Sequence, residues 1–109
     1  MTIVYYNGHY MPQHQATVPI MDRGFLYSDS IYETLPIKQG HALSFDAHIN
    51  RLNRNLSLIG IQPPHTHDQW KTVCRKLINS NPLEHRCYIY LHVTRGVGLN
   101  RQLQLPKDI

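Results

Sequence analysis

The segment Asp22-Arg23-Gly24-Phe25-Leu26-Tyr27-Ser28-Asp29-Ser30-Ile31-Tyr32-Glu33-Thr34 crowds Arg, Asp, Tyr and Glu into a polar, turn-rich stretch that runs straight into a strand-like one. Two more arginines stand in short, patterned contexts: Arg51 in His48-x-x-Arg51-Leu52 and Arg95 in Thr94-Arg95-Gly96, with Arg101 following. A guanidinium presents a planar fork of donors that matches a carboxylate or a phosphate, and a tyrosine hydroxyl can add a further hydrogen bond. The chemistry these residues suit is recognition of small anions from loops on a rigid scaffold.

Other chemistries lack their residues. His65-x-His67 is the closest histidine pair, but no Cys-x-x-Cys, His-Glu-x-x-His or acidic cluster completes a metal site, so no metal is expected. No glycine-rich phosphate loop or Ser-His-Asp signature appears. The net charge of +4 would tolerate a polyanion, yet the arginines are scattered singly, which favours individual anion contacts over nucleic acid. Cys74 and Cys87 fall in core-like settings and read as buried thiols rather than a disulfide framework. No signal-peptide pattern opens the chain and no apolar run reaches membrane-spanning length, so a cytoplasmic protein is expected.

The elements that must position these groups read as one mixed α+β domain of 109 residues. Asn7-Gly8 between Ile3–Tyr6 and His9–Met11 predicts a hairpin, because both central positions of a type I′ turn need positive φ. Ala16–Ile20 reads as a short extended piece. A second hairpin is expected from Ile31–Lys38 and His41–Phe45 about Gln39-Gly40, with Pro36 marking an edge or a bulge. From Asp46 the period changes: Ile49, Leu52, Leu56 and Ile59 share a helical face, with Ser44 or Asp46 as cap and Gly60 as stop. Thr66 and Gln69 form a capping-box pattern ahead of Trp70, Val73, Cys74, Leu77 and Ile78. Cys87–Val93 alternates cleanly, with Ile89, Leu91 and Val93 on one face and Tyr88, Tyr90 and His92 on the other.

An Asn-Gly hairpin, Asp-Arg-Gly, a Tyr-Glu-Thr strand, His-x-x-Arg-Leu on a helix and Thr-Arg-Gly after an alternating strand follow one another in a specific order. In that order the chain resembles the amino-terminal part of class IV (fold-type IV) pyridoxal-phosphate aminotransferases, which include D-amino acid aminotransferases, branched-chain aminotransferases and aminodeoxychorismate lyases. The resemblance implies that residues 1–109 are the small domain of a two-domain subunit, a mixed sheet of hairpins and an alternating strand packed with two helices. It implies a pyridoxal phosphate in the cleft between domains, amino acid and 2-oxo acid substrates, and an active site completed across a homodimer. By the same resemblance Arg51 contacts the cofactor phosphate, and Tyr32 and Arg101 contact the substrate carboxylate. His48 is expected to be a supporting or packing histidine, Glu33 and Thr34 to be structural, and Arg95 a structural anchor. Asp22-Arg23-Gly24 fixes the chain path by ion pairing and a positive-φ glycine.

Two departures from the family pattern stand out. Ser28 and Ser30 replace the glycines that usually flank the aspartate before the strand, and serine tolerates positive φ poorly, so an altered loop path is expected. Leu103 stands where a D-amino acid aminotransferase carries a histidine near its arginine, which leaves the substrate class open. The lysine amine that bonds the cofactor and shuttles protons in this family comes from the larger carboxy-terminal domain. Lys38, Lys71, Lys76 and Lys107 occupy turn, polar-face or tail positions, so no catalytic residue is assigned and these residues alone are expected to be inactive. The alternatives are carbon–nitrogen lyase chemistry on aminodeoxychorismate and a non-catalytic anion-binding domain.

Overall fold

A computed structural model describes residues 2–84 and 86–98. Its first hairpin pairs β1 (Ile3–Tyr6) with β2 (His9–Pro12), and Asn7 and Gly8 take φ of 45° and 93° at the turn. A 3-10 turn at Gln13–Gln15 follows, and Ala16–Ile20 forms no strand. The remaining elements are α1 (Arg23–Tyr27), β3 (Ser30–Lys38), β4 (His41–Ala42), α2 (Phe45–Leu58), α3 (His67–Ser80) and β5 (Cys87–Thr94).

The main sheet has the order β4-β3-β5, all antiparallel. β3 pairs with β5 from Ser30↔Thr94 to Ile37↔Cys87, so Pro36 lies in the central strand without a bulge, contrary to the expectation that it marks an edge. The sheet tolerates it because β4 is only two residues long. The Leu43 N–H donates to the Pro36 carbonyl (2.8 Å), the proline nitrogen has no hydrogen to return, and the ladder stops there. The strand expected over His41–Phe45 therefore ends at Ala42, and Phe45 already opens α2.

The inner face of this sheet carries Leu35, Ile89, Leu91 and Val93, and α2 covers it with Ile49, Leu52 and Leu56. Trp70 and Cys74 of α3 complete the same cluster. Leu35, Ile49, Leu52 and Leu56 are fully buried, and burial pushes the Cys74 thiol up to about 11. The capping box of α3 is fully made: the Gln69 N–H donates to Thr66 Oγ1 (3.2 Å) and the Thr66 N–H to Gln69 Oε1 (2.8 Å). Ser44 stands at the N-cap of α2 but in the left-handed region (φ 52°), and its side chain makes no capping bond. Asn81, just past α3, ties the first hairpin down by accepting from the Ile3 N–H (2.8 Å) and donating to the Ile3 carbonyl (3.1 Å).

Candidate functional site

Residue parity along β3 decides what each of its side chains meets. Ile31, Glu33, Leu35 and Ile37 face the helices, while Tyr32 and Thr34 face outward. That alternation carries a carboxylate into an apolar layer, where an unpaired charge would be costly. Glu33 is only 4% exposed, and α2 supplies its partners. Arg51 donates Nε to Oε2 (2.7 Å) and an Nη to Oε1 (2.8 Å), a forked pair. His48, one helical turn earlier on the same face, places Nδ1 2.7 Å from Oε1. The hydrogen bonds from Arg51 hold the Glu33 carboxyl below its usual range; burial opposes this and His48 adds to it. Glu33 in turn holds Arg51 more firmly protonated.

The Arg51 side chain nonetheless remains 54% exposed, whereas that of Glu33 is 3% exposed. Glu33 takes two donors of the guanidinium, leaving the other Nη for a second anion. This donor set fits a phosphate group: a permanent cation, fixed at one side of its plane and open at the other. β4 pairs only with Ile37 and Lys38, so the edge of β3 from Ser30 to Leu35 has no strand beside it on that side among the described residues.

Tyr32 lies on the outer face, 61% exposed, and stacks on Tyr90 with ring centroids 5.7 Å apart. It is a surface aromatic rather than a core one. Alongside, His92 Nε2 lies 2.8 Å from Ser30 Oγ, and Tyr88 adds a further exposed ring. Tyr32 and Arg51 thus belong to neighbouring strand and helix positions, and Tyr32 lies near enough to act on the Arg51 charge. Arg101 lies outside the described residues, as do Leu103 and Lys107.

A second charged cluster anchors the loops that flank β3 and β5. Asp29 Oδ2 accepts from Arg23 Nε (2.9 Å) and from Arg95 Nε (2.8 Å), and both arginines are buried. Arg95 also donates to the Ile59 carbonyl, which ties the cluster to the end of α2. Asp22 caps α1 by accepting from the Gly24 N–H (2.8 Å) and receives the Thr94 hydroxyl (3.0 Å). The expected ion pairing is present, but Gly24 does not have positive φ: it sits in α1. A Cβ there would lie 2.4 Å from Thr94 Cγ2, so glycine serves close approach of α1 to β5 instead. The left-handed residue of this loop is Ser28 (φ 57°), whose N–H closes α1 on the Gly24 carbonyl, and Ser30 already belongs to β3.

The pairing of Glu33 with His48 and Arg51 went unread in the sequence. The signal was there: a carboxylate between Ile31 and Leu35 on an inward face requires cationic neighbours, and a His and an Arg three apart on one helix supply them. His65 packs edge-on against Trp70 (4.6 Å) with Tyr5 OH 3.1 Å from its Nε2, and no group of three or more metal-ligating side chains occurs among the described residues. Nor is any helix among them long and apolar enough to cross a membrane.

Comparison with known proteins places this arrangement. Residues 30–107 match amino-transferase class IV, and the chain belongs to that family. It is similar to the D-alanine aminotransferase of Listeria monocytogenes serotype 4b, 31% identical over 102 residues, covering 94% of this chain and 35% of that protein. The D-alanine aminotransferase of Staphylococcus haemolyticus is 33% identical over 98 residues, covering 90% and 34%. Among solved structures, the branched-chain amino acid aminotransferase of Escherichia coli superposes with a TM-score of 0.81 at 20% identity, covering 93% of this chain and 34% of that one. The 4-amino-4-deoxychorismate lyase of Pseudomonas aeruginosa gives 0.66 at 25% identity, covering 84% and 32%. The fold is the small mixed α+β domain of fold-type IV transaminases, with its two sheets and packed helices. The chain spans about a third of the length of the relatives it matches.

Proposed function

We propose that these residues are the amino-terminal small domain of a two-domain, pyridoxal-phosphate-dependent aminotransferase that acts on amino acids of the D- or branched-chain type. Arg51 holds the cofactor phosphate, and Tyr32 and Arg101 contact the substrate carboxylate. When bound, the cofactor supplies the electron sink for amino-group transfer. The lysine that serves it belongs to a larger carboxy-terminal domain, the working unit is a cytoplasmic homodimer, and these residues by themselves are inactive. The observation that carries this reading is the half-exposed Arg51 guanidinium locked by a buried carboxylate, in a chain of this family.

Likeness to two D-alanine aminotransferases supports a D-amino acid donor with a 2-oxo acid acceptor. Carbon–nitrogen lyase action on aminodeoxychorismate is the second reading, favoured by the likeness to the Pseudomonas lyase. The acceptor separates them. The complete protein, assayed with D-alanine, a branched-chain L-amino acid and aminodeoxychorismate, is expected to turn over an amino acid only when a 2-oxo acid is supplied. Product release from aminodeoxychorismate with no acceptor would instead establish the lyase. Binding of anions without turnover of any of the three would leave only a non-catalytic domain.

A further inference from the structure

Arg51 cannot be considered apart from the carboxylate that orients it. An arginine on an exposed helix face carries rotamer entropy, which an anion must remove on binding. Here the geometry removes it in advance: the fork to Glu33 fixes the plane and direction of the guanidinium before any ligand arrives. Glu33 is itself held from several sides. Its backbone sits between Tyr32 and Thr34 in the paired length of β3, its side chain is buried, and His48 takes up part of Oε1.

We infer that Glu33 and His48 are positioning residues for the cofactor phosphate, acting through Arg51: Glu33 holds the guanidinium with one edge turned to the ligand, and His48 holds Glu33. This rests on the reading of Arg51 as the phosphate ligand and adds to it two residues that touch no part of the cofactor. A carboxylate beside a phosphate site weakens it by repulsion if its only effect is charge, so the inference makes a claim opposite in sign to simple electrostatics. Removing the negative charge of Glu33 weakens phosphate binding.

The test compares two ligands on the complete protein, pyridoxal phosphate and pyridoxal, which lacks the phosphate. Dissociation constants come from fluorescence titration of the wild type, Glu33→Gln, His48→Gln, Arg51→Lys and Arg51→Ala. Glu33→Gln is expected to weaken pyridoxal phosphate roughly tenfold, the scale of one hydrogen bond to a charged group, while leaving pyridoxal within about twofold. His48→Gln shifts the same ratio in the same direction by less. Equal losses for both ligands would mean that Glu33 only supports the fold, and a gain in phosphate affinity would mean that its charge simply repels; either overturns the inference. Should Glu33→Gln fail to fold, Arg51→Lys decides. A lysine keeps the charge but has no fork to share between Glu33 and phosphate, so the ratio is expected to fall nearly as far as in Arg51→Ala. If lysine keeps the wild-type ratio, positioning is refuted. If even Arg51→Ala keeps it, the assignment of Arg51 fails first and this inference with it.

Discussion

Asp29→Ala is expected to destabilise the domain by about 3–5 kcal/mol, the usual cost of removing one partner from a buried ion pair. One carboxylate oxygen serves two arginines that are 5% and 4% exposed, and alanine would remove from both, in low dielectric, the negative charge that balances them. Asp29→Asn keeps the shape and one acceptor and is expected to cost less. Denaturant titration of the complete protein measures both; a loss below about 1 kcal/mol for the alanine variant would show that the arginines rehydrate freely. The pH dependence follows. Burial alone would raise the Asp29 carboxyl, but the donors on Arg95 and Arg23 outweigh it and hold the carboxyl below its usual range. Glu33 is lowered as well. A carboxyl lowered by folding contributes stability above its unfolded pKa, and that contribution disappears as pH falls through the folded value. Stability is therefore expected to be level from neutral pH down to about pH 5 and to drop below about pH 4. In Asp29→Asn the drop should be shallower, and an unchanged acid limb would contradict the assignment.

Leu52→Ala is expected to cost about 2–5 kcal/mol, through lost transfer energy and the cavity left behind. Leu52 is fully buried between α2 and the sheet and follows Arg51 directly, so the same residue that seats the helix also sets where the guanidinium emerges. Leu58 on the same helix is 78% exposed, and its replacement by alanine is expected to stay within about 0.5 kcal/mol. The comparison separates burial from helix propensity, because both changes are leucine to alanine in α2. Similar losses at the two positions would mean that α2 does not pack on β3 as described.

Features governed by neighbours in the chain were legible from the residues. The turn at Asn7-Gly8, the capping box at Thr66 and Gln69, the inward set Ile49, Leu52 and Leu56, and the two faces of β5 all follow from local geometry, and all are present. Features set by distant partners were not. Pro36 sits in a central strand because of where β4 stops, and Gly24 is glycine because Thr94 lies against it. Ser44 has the residue type of a cap without making the bond, since its backbone enters the helix from the left-handed region. The site divides the same way. Arg51 and Tyr32 stood out by their motifs. The partnership of Glu33 with Arg51 and the double duty of Asp29 arise only once strand and helix, or two loops, are brought together. The motif marks His48 as a supporting or packing residue but does not show the carboxylate it meets.

The central claim is that the Arg51 guanidinium, set by Glu33, is the seat of the cofactor phosphate. A crystal structure of the complete protein with pyridoxal phosphate bound tests it most directly. Phosphate oxygens are expected within about 3 Å of the free edge of Arg51, with the fork to Glu33 intact on the other edge. A phosphate bound elsewhere, with Arg51 facing only solvent and Glu33, would contradict it.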